Sequence, residues 1–190
     1  MTSARDRILD TAFRLFYAHG IRAVGVDRLI AESGVAKATF YKHFASKDEL
    51  VLAYLDQVDE IWTGQLREAA AAAGPDPAAQ LVGAFDALSV ACRTTGYRGC
   101  GFLNAGAESE PGSRVHARTV AHKASVRGWF ARLARDAGAA DPATLAQSLS
   151  LLLDGGLADG ALGADPAAPA TAKRAAQVLV ASATAGSGAS

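Results

Sequence analysis

The chain lacks any long hydrophobic run. Half of its 190 residues are hydrophobic, yet no stretch reaches the roughly 18 consecutive apolar residues that a membrane span requires. No membrane partner is expected. Cysteine is scarce: Cys92 and Cys100 are the two present, too few for a disulfide framework, and neither belongs to a C-x-x-C pair. The opening residues MTSARDRILD have no apolar signal core, so the cytoplasm is the expected compartment. Alternating β-branched runs are missing, as are a G-x-S-x-G elbow, an H-E-x-x-H helix and a phosphate-cradling glycine loop. GYRGCG is rich in glycine but has neither the P-loop lysine nor a preceding strand. Cys92, Cys100, His116 and His122 are spaced more loosely than zinc ligands usually are. No cofactor, no metal and no enzymatic activity are expected.

An excess of either charge is also absent overall, with 19 basic and 19 acidic residues. That balance hides an asymmetry. Up to residue 47 there are eight basic side chains against four acidic ones, a surplus of four. The remainder holds eleven against fifteen, the opposite excess. A basic head on an acidic body suits an encounter with a polyanion, although a surplus this small also describes an ordinary solvated surface.

What is present is helix-forming sequence throughout, rich in alanine. Ser3 and Asp6 have the spacing of a capping box. Ile8, Leu9, Ala12, Phe13 and Phe16 then repeat on one helical face, and Gly20 suits a left-handed terminator. A short helix is predicted over 26–33 and a third over 37–44, joined by a turn at Gly34-Val35. Ser46 to Glu49 fits a second capping box, opening a long helix that runs to the breaker GPDP at 74–77. Further helices are predicted over 78–93, near 103–108, over 113–137, from Asp141-Pro142 to 162, and over 170–183. The fold class is therefore all-α, with about nine helices. They divide into a three-helix head (1–46), a larger helical body (47–184) and a disordered tail (185–190).

Two short helices joined through a glycine turn form a helix-turn-helix, whose second helix enters the major groove of DNA. Here that helix is KATFYKHF. Phe40 and Phe44 lie one turn apart on its inner side, leaving Lys37, Ala38, Tyr41 and Lys42 outside. Lysine donates to guanine edges, while alanine and the threonine methyl contact thymine. Tyr41, Lys42 and His43 suit phosphate oxygens. Lys47, in the first turn of the next helix, opposes the macrodipole unless an anion is nearby. Taken singly, each of these residues fits plain packing or a wet surface equally well; the whole constellation fits DNA better.

Residues 8 to 55, from ILDTAFRLFYAHGI through VDRLIAESGVAKATFYKHFASKDELVLAYL, resemble the DNA-binding region of TetR-family (tetracycline-repressor-type) transcriptional regulators. The likeness rests on the spacing from Gly20 to Gly34, the TFYKHF core and the following SKDEL. It implies an all-α protein whose helix-turn-helix head sits on a body that binds an effector and forms a homodimer. It also implies that Lys37, Ala38 and Thr39 occupy base-reading positions, and that Tyr41, Lys42, His43 and Lys47 occupy phosphate-contact positions. Family members often carry Thr or Ser where this chain has Val24-Gly25. Gly25 still serves as an N-cap, but without a hydroxyl for phosphate.

In the body, Trp62, Phe85, Leu88, Phe102, Trp129 and Phe130 are candidate walls of an effector cavity, with Ser89, Cys92, Asn104 and His122 as polar spots. Aromatic stripes at helical spacing are more often core than cavity, so the family resemblance supports the cavity as a whole rather than any one wall. RGCGFLNAGAE resembles a segment of one subgroup of these regulators that enters a short helix beside the cavity. Cys100, between two glycines and near Arg98, has a setting that suits an exposed, somewhat acidified thiol, but buried or incidental thiols are the expected reading of Cys92 and Cys100; whether either has a redox role is not decided by sequence. LAQSLSLLLDGGLADGAL sets Leu145, Leu149, Leu152 and Leu153 near Gly155, Gly156 and Gly160. With Leu179 on the last helix these suit a four-helix dimer interface, or equally an internal helix. The expected function is a ligand-responsive DNA-binding regulator, a repressor released from a palindromic operator by a small molecule. The alternative is a helical small-molecule carrier without DNA-binding activity.

Overall fold

The structure, a computed structural model, describes residues 3–163 and 165–185. The tail predicted to be disordered lies outside the described residues except for Ala185. Ten helical segments are present among the described residues: α1 (Ala4–His19), α2 (Val26–Ser33), α3 (Lys37–His43), α4 (Lys47–Ala72), α5 (Pro77–Gly83), α6 (Asp86–Cys92), α7 (Gly101–Glu108), α8 (Arg114–Asp136), α9 (Pro142–Leu162) and α10 (Ala168–Thr184). No strand occurs among them.

The helix starts follow their caps. Ser3 Oγ accepts from the Asp6 N–H while the Asp6 carboxylate accepts from the Ser3 N–H, a complete capping box. Asp76 and Asp141 each accept from the N–H three residues on, and a proline follows each at the first helical position. The second capping box forms only by half. Ser46 Oγ accepts from the Glu49 N–H at 3.2 Å, but the Glu49 carboxylate pairs with Arg114. A charged guanidinium is a stronger partner than a neutral amide.

One helix predicted over 78–93 is broken in two. Around Ala84-Phe85 the backbone tightens to three-residue hydrogen bonds, from Phe85 N–H to Val82, Ala87 N–H to Ala84 and Leu88 N–H to Phe85. This break delivers the fully buried Phe85 onto Phe130, with ring centroids 6.3 Å apart. Counted as one broken helix, α5 and α6 leave the nine that periodicity predicts.

The chain divides into two compact units. One comprises the chain up to Glu60 with Gly101–Ala121, the other Ile61–Cys100 with the chain from His122 onward. The predicted boundary at 46/47 therefore does not coincide with them, because α4 and α8 each contribute residues to both. In the first unit α1 packs against α2 and α3, burying Ile8, Ala12, Leu15, Phe16, Leu29, Phe40 and Phe44 together with Leu50, Tyr54 and Leu55. In the second, α10 packs on α9, α5 and α6, and α6 also packs on α9. Leu81, Phe85, Leu88, Phe130, Leu149 and Leu153 form its core.

Close packing in the second unit gives two glycines opposite roles. A Cβ at Gly156 would stand 2.8 Å from Leu88 Cδ1 and 3.3 Å from Ala172 Cβ, in a core with no slack. Around Gly64, within α4, nothing lies within 4 Å. Gly156→Ala is expected to destabilise by about 1–3 kcal/mol through overpacking. Gly64→Ala is expected to stabilise by roughly 0.5–1 kcal/mol through helix propensity. Thermal unfolding of the two variants checks this: shifts of the same sign would contradict the packing described.

Candidate nucleic-acid interface

α2 and α3 owe their orientation to one turn. Gly34 takes φ 64° and ψ 32°, the left-handed region, and its N–H donates to the Ala31 carbonyl. A β-carbon there costs energy, so glycine is the residue the turn needs. Beyond it, α3 has seven residues, too few to persist alone in water. Burial holds it: Phe40 is fully buried and Phe44 nearly so, each contributing about 1.5–3 kcal/mol. Tyr41 lies edge-on to the Phe40 ring with centroids 5.4 Å apart, and the Arg5 guanidinium sits 5.4 Å over the Phe44 ring.

The opposite side of α3 is wet. Lys37, Ala38, Lys42 and His43 are exposed, Tyr41 is 45% exposed, and Thr39 is half-buried. Lys47 is half-buried at the start of α4. Burial lowers its pKa, while the negative charges of Glu108 and Asp48 act in the opposite direction. Gly25 caps α2 in an extended conformation with no side-chain hydrogen bond, and Ala36 does the same for α3. Their first N–H groups thus have no side-chain acceptor, consistent with the missing hydroxyl at position 25.

The wet face continues into an open cleft of about 620 Å³, lined by Arg5, Tyr41, Lys42, His43, Arg114 and Arg118 among others. Arg114 is neutralised by Glu49. Arg118 is neutralised by Asp56 at 2.8 Å and Asp59 at 2.7 Å, and its guanidinium lies 5.2 Å over the Phe102 ring. The hydrogen bonds to these carboxylates raise its pKa against the opposing effect of its burial. On the other flank Glu32 accepts from Arg14 at 2.6 Å and from Arg28 at 2.8 Å, tying α1 to α2. Arg5, Arg114, Arg118 and their acids escape a reading of the sequence. They lie scattered over more than a hundred positions, and no local period links them.

The family of bacterial regulatory proteins of the tetR type matches residues 8–54, the segment just described. The curated regulator TcmR of Streptomyces glaucescens is 33% identical over 84 residues, 44% of this chain and 36% of TcmR. The transcriptional activator FasR of Mycolicibacterium smegmatis is 39% identical over 61 residues, 32% of this chain and 28% of FasR. This chain therefore spans about a third of the length of these curated relatives. A solved structure extends the likeness to nearly the whole length: SCO4454, a TetR-family transcriptional regulator from Streptomyces coelicolor, is 37% identical. It covers 95% of this chain, which covers 96% of it, with a TM-score of 0.88. The chain belongs to the TetR family. That is a family of transcriptional regulators rather than of enzymes.

The body of this TetR-family chain places its candidate residues as follows. The residues expected to wall an effector cavity differ in burial. Phe85, Leu88, Phe102 and His122 are buried, Trp62, Ser89, Cys92 and Trp129 half-buried, and Asn104 exposed. Phe102 and Asn104 belong to the first compact unit and the rest to the second. In the second unit Phe130 stacks on Phe85 and lies 5.1 Å from the Trp129 ring. The crevice beside Trp129, bounded by Thr63, Leu66, Arg67, Ser125 and Val126, holds about 10 Å³, scarcely one water. A groove of about 510 Å³, lined mainly by alanines of α4 and α5 with Val82, Lys173, Val180 and Thr184, is the roomier opening in that unit.

Most of the residues expected at the dimer interface take part in packing within the chain. Leu145, Leu149, Leu153 and Gly156 are buried within the chain, Gly156 against Leu88 and Ala172. Gly160 faces Cys92 Sγ, and Leu152 is half-buried. Gly155 is exposed, and so is Leu179, at 37%. Cys100 is buried, with its Sγ 3.9 Å from Lys123 Nζ. Cys92 is half-buried, and burial pushes its thiol pKa up. Among the described residues no group of three or more His, Cys, Asp and Glu side chains converges as a metal site would, and no helix is long and apolar enough to cross a membrane.

Two substitutions separate phosphate contact from base contact. Lys47→Ala is expected to weaken binding to every duplex alike and to reduce the slope of log affinity against log salt by about 1. Lys37→Ala is expected to relax base preference at one position by about 1–3 kcal/mol. Equal loss across operator variants for Lys37→Ala would remove it from base reading.

Proposed function

We propose that this protein is a ligand-responsive DNA-binding transcriptional regulator, a repressor that a small-molecule effector releases from a palindromic operator. The observation that carries this reading is the outer face of α3. Lys37, Ala38, Tyr41, Lys42 and His43 stand in water while Phe40 and Phe44 are sealed beneath. Lys37, Ala38 and Thr39 take the base-reading role; Tyr41, Lys42, His43 and Lys47 hold phosphates, aided by the open N-terminus of α2 at Gly25. FasR is named an activator, so the sign of regulation in this chain is a matter for a reporter assay.

The homodimer fits the outward faces of α9 and α10. Leu151 (62% exposed) and Leu162 (79%) flank the exposed small residues Gly155 and Ala158 along one stripe of α9. Val178 (69%) and Leu179 extend the apolar surface on α10. An apolar patch of this kind on a water-facing helix pair marks an association surface, and small residues between leucines allow close helix approach. Two-fold symmetry would present two α3 helices to half-sites about 34–36 Å apart, or a multiple of that. An effector that binds better to a form whose heads miss this spacing lowers operator affinity by its differential affinity for the two forms.

Selection of bound duplexes from a random pool, followed by salt titration, tests the reading. Recovery of a palindrome and a salt slope of several units are expected. No binding to any duplex at low salt would leave the small-molecule carrier reading instead. Leu151→Asp with Val178→Asp is expected to convert the dimer to monomer by light scattering and to weaken operator binding by at least about tenfold. A double variant that stays dimeric would overturn the assignment of this face.

A further inference from the structure

The end of α7 grips the loop that leads into the DNA-reading helices. The Arg22 N–H donates to Glu108 Oε2 at 2.6 Å, and Arg22 Nε donates to the Glu108 carbonyl at 2.7 Å. Arg22 Nη2 reaches Glu110 Oε1 at 3.2 Å. The carboxylate occupies a slot that exists because residue 20 is glycine: a Cβ there would stand 2.7 Å from Glu108 Oε1. Gly20 also differs from the left-handed terminator predicted for it. Its φ of 87° is paired with ψ of 157°, a conformation essentially restricted to glycine. Gly20 thus ends α1 and makes room for an acid 88 positions away.

The loop has need of this anchor. It runs from Gly20 to Gly25, and α2 starts from Gly25 with no side-chain cap. Val24 supplies a buried apolar foot; the hydrogen bonds to Arg22 supply direction, which apolar contact does not. We propose that Glu108 is a positioning residue for DNA binding, locking the α1–α2 loop to the end of α7 so that α2 and α3 are presented in one orientation. This rests on the reading that the head binds DNA.

Specific and non-specific binding depend on the lock differently. An operator complex needs the helix pair fixed, and its apparent affinity falls by the fraction of time that it is not. Binding to random duplex is electrostatic and tolerates a loose head. Glu108 also places a negative charge near Lys47, so removing it strengthens attraction to any phosphate backbone. Loss of the charge thus raises both affinities alike, whereas loss of the lock lowers operator affinity alone and so changes the ratio of the two.

The test compares full-length variants on the selected operator and on random duplex at one salt concentration. Glu108→Ala is expected to bind the operator about tenfold more weakly, the cost of a lost charge-assisted hydrogen bond, while random duplex is bound as well as or better than by the wild type. Glu108→Gln keeps an oxygen that accepts from the Arg22 N–H, so its operator-to-random ratio is expected within about twofold of the wild type. Should Glu108→Ala melt below the assay temperature, Arg22→Ala decides on the same ratio, because it cuts the guanidinium bonds and leaves the backbone. Affinities for both duplexes that fall together or rise together, with the ratio unchanged, would overturn the lock. Failure of the wild type to bind any duplex would instead sink the DNA-binding reading itself.

Discussion

A seven-residue helix has no stability of its own, so the orientation of α3 is dictated by what it buries. Phe40 and Phe44, one turn apart, are its only large apolar side chains, and both are withdrawn from water. Everything else about the interface is a consequence of that geometry. With two positions fixed inward, Lys37, Ala38, Tyr41, Lys42 and His43 have only the outward side left. Tyr41 shows the compromise at the boundary: its ring edge rests on Phe40 while nearly half of it stays exposed. Replacing Phe40 by a small residue would cost about 3–5 kcal/mol, and with it the direction of every cation on the helix.

Around this anchor the first unit is braced by ion pairs. Glu32 joins Arg14 of α1 to Arg28 of α2, Arg118 of α8 holds Asp56 and Asp59 of α4, and Glu110 pairs with Arg22 of the α1–α2 loop, whose backbone N–H donates to Glu108. The exposed ones among these pairs contribute little to global stability. Their use is directional: guanidinium forks accept few geometries, so they fix how short helices lie even when they add little to the free energy of folding. The second unit works by the opposite means, with rings and leucines packed so tightly that Gly156 admits no methyl group.

Much of this was legible in the amino-acid order, wherever the signal is local. Ser3 with Asp6, Asp76 with Pro77, and Asp141 with Pro142 announce helix starts because a cap acts within three residues. The Gly34 turn, the inward pair Phe40 and Phe44 and the wet lysines follow from a short period. Long-range features were not legible. Arg22 and Glu108 meet across 86 positions, and nothing near either residue points to the other. The inner and outer faces of α9 were confused because the helix is apolar on nearly every side, so its period selects no face. Leu149 went inward and Leu151 outward for reasons that lie in α6 and α10. The break between α5 and α6 has the same origin, since Phe85 is turned toward a ring 45 positions later.

The central claim is that the wet face of α3 meets DNA, and lysine reactivity reports on it directly. The chain has five lysines: Lys37, Lys42 and Lys47 belong to the proposed interface, Lys123 and Lys173 do not. Amine acetylation read by mass spectrometry, with and without a selected duplex, compares them within one sample. Protection of Lys37 and Lys42 by DNA, with Lys173 acetylated equally in both samples, is the predicted result. Equal acetylation of Lys37 and Lys42 in the presence and absence of a bound duplex would contradict the account.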